Sequence, residues 1–536
     1  MAKTLQTQDN GGFPKTVVVK NFIGGNLAEA KSGERYEARS ACNRADVVGT
    51  APLSGAEDVA EACRVAGAIK KKWGETPAPV RGEIIGRIGE ALSEHKELLS
   101  RVVNREIGKT MREARGEVQE AIDTAHFFQS EGRRLYGQTV YSEMPNKELF
   151  TYRRPLGVAA MITAGNFPMA VPSWKILPAL VCGNTIVWKP SEDAPVIAHL
   201  FGQIMQDAGV PDGVVNIVYG TGAKAGQGVL DAVDDGLVNK VSFTGSTAVG
   251  RRVGEVCGRN LQVPSLELGG KNPMVVLRDA NLELAVEGVV FSGFGTGGQR
   301  CTSLGNLILD KPIAAEFKER LLKRMESIVI ADPTQTEDAL YGPLIEERFY
   351  DRFMEHFAMA EADGAKMLTT NKGRITNANK PASFVGDPES GFYVFPTVWD
   401  GVTMDMKIAQ TEVFGPTISI IEVDGFDEAL AAANGTPYGL SSACYTMDPS
   451  AILRFKNGIT AGMTSINNTT SGAEAHLPFG GNGWSGNGTR ESGVWVLDAY
   501  TRWHCVNEDL AGKLQLAQID VDFGAATEPT DLSALG

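Results

Sequence analysis

The sequence lacks the features that mark several protein classes. No run of about 18 apolar residues occurs in its 536, and the opening MAKTLQTQDNGGFPK has no apolar core, so neither a membrane span nor a secretory signal is expected. Histidines number six, none in an H-x-x-x-H or C-x-x-C setting, and no metal site is expected. The seven cysteines (Cys42, Cys63, Cys182, Cys257, Cys301, Cys444 and Cys505) show no C-x-x-C and no even framework, which suits a reducing cytoplasm better than a secreted scaffold. A basic surplus is missing too: the formal charge of −14 and pI near 5.1 argue against nucleic acid or an anionic membrane as partner. No internal repeat or low-complexity run stands out.

What is present is a globular composition, 43% hydrophobic and 22% charged, on a chain long enough for two or three domains. Residues 1–20 form a polar lead-in. From 56 to about 137 the pattern is helical, with Ile84, Ile85, Ile88 and Leu92 at i, i+4 spacing and a second stripe through Met111, Ala114, Val118, Ala121, Ile122 and Ala125. Glu117 and Glu120, on or off that stripe, belong by default to a solvated face. The β-prone segments 139–142 and 150–154 flank a Pro-Asn turn and predict a hairpin.

Strands and helices then alternate: strand 157–163, helix 170–181, strand 185–188, helix 194–208, strand 213–218, helix 223–229, strand 240–244 and helix 247–256. That order predicts βαβ units, a mostly parallel sheet and helices on both faces. A second α/β unit is expected from 271 to 465, with 370–392 a surface loop. Segments 501–505 and 514–523 return as an edge strand, and 524–536 is a polar tail.

Candidate chemistry centres on Gln299-Arg300-Cys301-Thr302, reached through Phe294-Gly295-Thr296-Gly297-Gly298. Three glycines leave little bulk around the sulfur, and a thiol becomes a nucleophile only as thiolate. Cys301 is otherwise one more small buried hydrophobe. Asn166, in Gly165-Asn166-Phe167-Pro168 after a strand, is either a turn residue or an amide donor to an oxyanion. Lys189-Pro190-Ser191-Glu192 either opens a helix or holds a ribose, where an acid favours NAD over NADP. Phe243-Thr244-Gly245-Ser246 opens a helix and fits either a pyrophosphate or an ordinary cap, since both regular nucleotide fingerprints fail. Glu267, between leucines and before Gly-Gly, is a general base with a raised pKa or a strand-end acid in a salt bridge.

Taken together, these segments resemble the aldehyde dehydrogenase superfamily over roughly residues 20–522. Trp188-Lys189-Pro190-Ser191-Glu192, Leu266-Glu267-Leu268-Gly269-Gly270-Lys271, Glu412-Val413-Phe414-Gly415-Pro416 and Pro478-Phe479-Gly480-Gly481 join those above, in the family's order. The resemblance implies a variant Rossmann cofactor domain (20–138 and 156–270), an α/β catalytic domain (271–465), and an oligomerisation element (139–155 and 496–523) that builds a homodimer or homotetramer. Residues 466–495 would return to the cofactor domain and active-site rim, with polar tails at 1–19 and 524–536.

It also implies roles. Cys301 would be the nucleophile, passing through a thiohemiacetal and a thioester; Glu267 the base for the deacylating water; Asn166 the oxyanion donor; and Lys175 the active-site lysine, although a helical lysine is by default a surface charge. NAD would be held by Ile162, Thr163, Lys189, Ser191, Glu192, Gly222, Phe243, Gly245, Ser246, Gly269, Glu412 and Phe414. No metal is needed.

Within the superfamily, Thr470-Ser471-Gly472-Ala473-Glu474 and Gly488-Thr489-Arg490-Glu491-Ser492-Gly493 resemble the antiquitin-like branch and related prokaryotic enzymes. By that likeness Glu120 and Arg300, with Gly472 and Ala473 as anchor loop, would grip the amino acid end of aminoadipate semialdehyde. Mere surface charges are the competing account of Glu120 and Arg300. Gly165 stands where many members carry an aromatic residue, which implies a roomier pocket. The alternatives are a CoA-acylating relative, which commonly lacks the acid at Glu267, and a non-catalytic protein on the same fold. A papain-like hydrolase is disfavoured for want of a histidine partner motif.

Overall fold

A computed structural model describes residues 16–517, 519, 521, 524 and 532–535. Its first seven-stranded sheet has the spatial order Ser265–Glu267, Lys240–Thr244, Val158–Ile162, Thr185–Lys189, Val215–Ile217, Asn21–Ile23, Asn26–Ala28. The first five strands run parallel and the last two close the edge antiparallel. Every residue of Thr185–Lys189 is buried, as a parallel strand covered on both faces must be, which explains its continuous apolar run. The chain winds one way from Val158–Ile162 through Thr185–Lys189 and Val215–Ile217. It then returns and winds the other way through Lys240–Thr244 and Ser265–Glu267. The topological switch therefore lies between Val158–Ile162 and Lys240–Thr244, where such sheets open a crevice at their carboxyl ends.

The second seven-stranded sheet runs Lys366–Met367, Thr397–Asp400, Thr417–Val423, Leu304–Asp310, Asn272–Val276, Ser441–Tyr445, Met463–Ile466, parallel except at the Lys366–Met367 edge. Residues 268–271 join the end of Ser265–Glu267 directly to the start of Asn272–Val276. The carboxyl ends of the first sheet thus meet the amino ends of the second, and the loops of both can share one cleft.

The helix Ala170–Val181 is buried at every position, as an almost wholly apolar helix must be, and carries one charge, Lys175. Its start has no side-chain cap of its own. Glu117 instead reaches across from the helix Met111–Glu131 and accepts from the backbone N–H of Met169 (2.8 Å) and Ala170 (3.4 Å).

The alternation expected from the sequence recurs closely, and the bounds of 170–181 and 240–244 coincide with it. The hairpin forms from Thr139–Tyr141 and Lys147–Pro155, and Thr501–Asp509 pairs on its other side. Four expectations need correction. The lead-in contains Val17–Val18, a strand parallel to Val47–Pro52 with Val19 buried beside it; residues 1–15 lie outside the described residues. The expected helix 223–229 starts as one π turn, Gly222–Gly226, before the helix Gln227–Asp234. The loop 370–392 is not wholly at the surface, since Ile375 and Phe384 are buried in the core of the second sheet. The edge strand stops at Asp509; none follows among the described residues of 514–523, and 518, 520, 522–523 and most of the tail lie outside them. Among the described residues no helix is long and apolar enough to cross a membrane.

Candidate active site

One cavity of about 720 Å³ occupies the seam between the two sheets. Ile162, Thr163, Phe243 and Thr244 line it from the switch point of the first sheet, and Cys301, Glu412 and Phe414 line it from segments entering the second. It holds every residue assigned above to cofactor or substrate, together with Cys301 and Asn166. Glu267 and Lys175 stand outside its lining.

The cysteine loop is shaped by close backbone approach. After the helix Leu282–Phe294, Thr296, Gly297 and Gly298 take left-handed φ values of 53°, 61° and 69°. A Cβ on Gly298 would lie 2.1 Å from the carbonyl oxygen of Gly415, and one on Gly270 would lie 2.7 Å from that of Cys301. Gly298→Ala is therefore predicted to cost roughly 3 kcal/mol, combining left-handed strain with overpacking. A urea denaturation midpoint equal to that of the parent protein would contradict this.

Cys301 is half-buried and free. Desolvation first, then the carboxyls of Glu267 and Glu412, push its thiol up to about 12; the N–H groups of Thr302 and Cys301 pull the other way without prevailing. The sulfur is thus a protonated thiol at rest. Asn166 is buried, and its amide donates to the carbonyl of Gln299 at 2.8 Å. An amide nitrogen carries two hydrogens, so one remains for the cleft.

Behind the cysteine lies a charge cluster of which the sequence gives only fragments. The Lys175 ammonium, fully buried, donates to Ser242 Oγ at 2.9 Å and pairs with Glu491. This corrects the surface-charge default for Lys175: a buried ammonium needs an anion, and Glu491 supplies it. Both carboxyl oxygens of Glu267 are buried without a hydrogen-bond partner among the described residues. Gly480, at φ +151°, leaves room for them, since a Cβ there would fall 2.6 Å from Oε1. Burial, then the neighbouring Glu491, raise the Glu267 carboxyl well above its ordinary range.

At the other end, Lys189 closes the strand Thr185–Lys189 and donates to Glu192 at 2.9 Å. Burial is the largest influence on Glu192 and opposes its ionisation, but Lys189, a backbone N–H and Arg348 together outweigh it and hold the carboxyl below its usual range. Ser246 caps the helix Thr247–Arg259, accepting from Val249 N–H, so the cap reading holds, and both Ser246 and Val249 line the cleft. Three features fit a dinucleotide here. Among the described residues, Thr244 Oγ1 is buried without a partner, a Cβ on Gly222 would meet nothing within 4 Å, and a Cβ on Gly269 would strike the Glu412 carboxylate at 2.1 Å. Glu412 accepts from Gly270 N–H at 3.1 Å, and Arg352 holds its other oxygen at 3.5 Å. Phe414 is left-handed at φ 61° and packs on Phe349 with ring centroids 5.5 Å apart.

The third wall of the cleft corrects the solvated-face reading of Glu117 and Glu120. Glu117 is buried and pairs with Lys109 at 2.5 Å, and Lys109 lies 3.3 Å over the Phe167 ring. Glu120 Oε1 is buried without a hydrogen-bond partner among the described residues. Arg300 is no surface charge either: it is buried, bonded to Glu113 at 2.7 Å and to Thr296 Oγ1 at 2.8 Å. Glu113 also accepts from Thr296 N–H at 2.8 Å, so it anchors the cysteine loop. Lys109 and Glu113 escaped sequence reasoning, and Glu491 had no role beyond its place in the segment 488–493, because a charge on a helix or loop has no local mark of burial. Gly472 and Ala473 line this wall.

The chain matches the family model described as Aldehyde dehydrogenase family over residues 28–506. It is 38% identical over 486 residues to the alpha-ketoglutarate semialdehyde dehydrogenase of Haloferax volcanii, covering 90% of this chain and 97% of that one. It is 34% identical to malonate-semialdehyde dehydrogenase 2 of Geobacillus kaustophilus, covering 90% and 97%. Among solved structures, the NAD-dependent aldehyde dehydrogenase of Sinorhizobium meliloti superposes with a TM-score of 0.87 at 31% identity, covering 93% and 96%. The betaine aldehyde dehydrogenase of Staphylococcus aureus in complex with NAD+ also gives 0.87, at 28% identity, covering 92% and 95%.

Proposed function

From the premise that this chain belongs to the aldehyde dehydrogenase family, we propose that its cleft oxidises a carboxylate-bearing aldehyde to the acid with NAD. The observation that carries this reading is the convergence of Cys301, Asn166 and the Lys189–Glu192 pair on one cavity. The names of the relatives, alpha-ketoglutarate semialdehyde and malonate-semialdehyde dehydrogenases, support the substrate class.

The Cys301 thiol gives its proton to water as the sulfur attacks the carbonyl carbon, and the oxygen takes up the π pair as an oxyanion within reach of the free Asn166 N–H. NAD, when bound, supplies the acceptor for the hydride lost from that carbon. The acyl group is left on sulfur as a thioester, and Glu267 takes a proton from the water that releases the acid. Lys189 and Glu192 would hold the adenosine ribose, Ser246 the pyrophosphate, and Glu412 and Phe414 the nicotinamide end. An ionised Glu192 repels a 2′-phosphate, which supports NAD over NADP. The hairpin and Thr501–Asp509 would assemble a homodimer or homotetramer in the cytoplasm.

An amino acid semialdehyde is the second reading, favoured by Glu120 Oε1, which is buried without a partner among the described residues. Against it, Arg300 is already committed to Glu113. The test is NADH formation over aliphatic, aromatic, ω-carboxylated and amino acid semialdehydes, run with NAD and NADP and with and without CoA. Oxidation of an ω-carboxylated aldehyde with NAD and without CoA is expected. A strict CoA requirement would point to the acylating alternative, and NADH from no aldehyde would end the proposal.

A further inference from the structure

The helix Met111–Glu131 presents Arg112, Glu113, Gly116, Glu117 and Glu120 to the cleft, an i, i+1, i+4, i+5, i+8 face. The charges on this wall are almost, but not wholly, matched. Lys109 is paired with Glu117 and Arg300 with Glu113. Arg112 is exposed and has no hydrogen bond, ion pair or ring contact among the described residues. Burial, then the charge of Glu117, push the Glu120 carboxyl up to about 8, so at neutral pH it is a neutral acid and a hydrogen-bond donor. Of the three basic side chains on this wall, Arg112 is the one with no carboxyl paired to it among the described residues.

Gly116 adds an independent observation. A glycine inside a helix costs about 1 kcal/mol relative to alanine, which calls for a reason. Neither left-handed backbone nor packing gives one: its φ is helical, and a Cβ there would meet nothing within 4 Å. It lines the cavity midway between Arg112 and Glu120, which lie about 12 Å apart along the helix axis at 1.5 Å per residue. The wall is hollow where a side chain would fit the protein alone.

We propose that this face is the subsite for the distal carboxylate of the substrate, with Arg112 the specificity-determining cation, Gly116 the space for the substrate chain, and Glu120 a donor to a carboxylate oxygen. The assignment rests on the reading that the Cys301 cleft oxidises carboxylated aldehydes. Arg112 sits at the exposed rim, so it acts on capture and orientation rather than on chemistry, and its pull is screened by salt.

The experiment compares 5-oxopentanoate with pentanal, which has the same chain length and no charge. The parent enzyme is expected to favour 5-oxopentanoate at least tenfold in kcat/KM, with the preference shrinking between 50 and 500 mM NaCl. Arg112→Ala should raise the ratio of KM for 5-oxopentanoate to KM for pentanal at least tenfold while kcat for 5-oxopentanoate moves less than threefold. Arg112→Lys should recover most of the loss. Gly116→Val should fold, and should raise KM for 5-oxopentanoate. A parent preference that survives Arg112→Ala unchanged overturns this subsite and leaves the carboxylated-substrate reading standing. A parent enzyme that does not discriminate overturns both, while NADH from either aldehyde still upholds aldehyde oxidation.

Discussion

Replacing Cys301 by alanine is expected to reduce NADH formation from every aldehyde by at least about 10⁴-fold, while NAD affinity stays within about twofold of the parent. At 1.36 kcal/mol per tenfold, that loss is about 5.4 kcal/mol of transition-state stabilisation. No second thiol lines the cleft to replace it, since the other six cysteines are all outside its lining. Cofactor affinity is expected to survive because the residues proposed to hold NAD, Lys189, Glu192, Ser246 and Gly222, do not depend on the sulfur for their place in the cavity lining. The two halves are read separately, the first by absorbance at 340 nm and the second by calorimetric titration with NAD.

The Cys301 thiol of the parent enzyme also carries a pH signature. A thiol raised to about 12 is almost entirely protonated at pH 8, and its thiolate fraction climbs tenfold with each pH unit up to that value. Alkylation of the unliganded parent enzyme by iodoacetamide at position 301 should therefore rise with a slope near one in log rate against pH between 7 and 9. Alkylation that levels off below pH 8 would mean the free enzyme already holds a thiolate. The sign for stability is the opposite of that for reactivity. A folded-state pKa above the unfolded value contributes stability that is present below about pH 8.5 and is lost as pH rises towards 12.

How much of this was legible in the sequence depended on whether a residue's partner is near it in the chain. The strands Val158–Ile162, Thr185–Lys189 and Lys240–Thr244 are short apolar runs bounded by glycine, proline or a change of period, so their burial is written locally. Val17–Val18 has no such mark. It is two residues long, half-exposed, and a strand only because Gly49 and Thr50 lie beside it. The charged residues divide in the same way. Cys301 and Asn166 sit in glycine- and proline-marked loops that draw attention. Glu113 looks like any helical acid until Thr296 and Arg300, more than 180 positions away, are brought to its carboxylate. Lys175 likewise waits for Glu491, 316 positions on. Gly116 misleads in the opposite direction: a glycine inside a helical stripe looks like a weakness, and its use is visible only from the cavity it lines.

Glu267→Gln is expected to lower steady-state turnover by about 10² to 10³-fold, the span of a general base, yet to leave a first burst of NADH of about one per site. Amide and carboxyl have the same shape, and the pocket left by Gly480 accepts either, so cysteine attack and hydride loss proceed while water is no longer activated. The acyl group then accumulates on Cys301, and mass analysis of a quenched sample should find it on that peptide. The pH dependence separates this account from a structural one. In the parent, burial first and Glu491 second hold Glu267 protonated above the ordinary carboxylate range. Deacylation should therefore rise with pH through that raised pKa as the base is freed, and Glu267→Gln should abolish that limb. The stability sign also follows: the raised acid favours the folded state below the unfolded pKa near 4.3 and ceases to do so as pH passes its folded value. Should burst and steady state fall together, with no acyl peptide, Glu267 would be acting before the thioester forms, and the water-activating role would have to be given to another group.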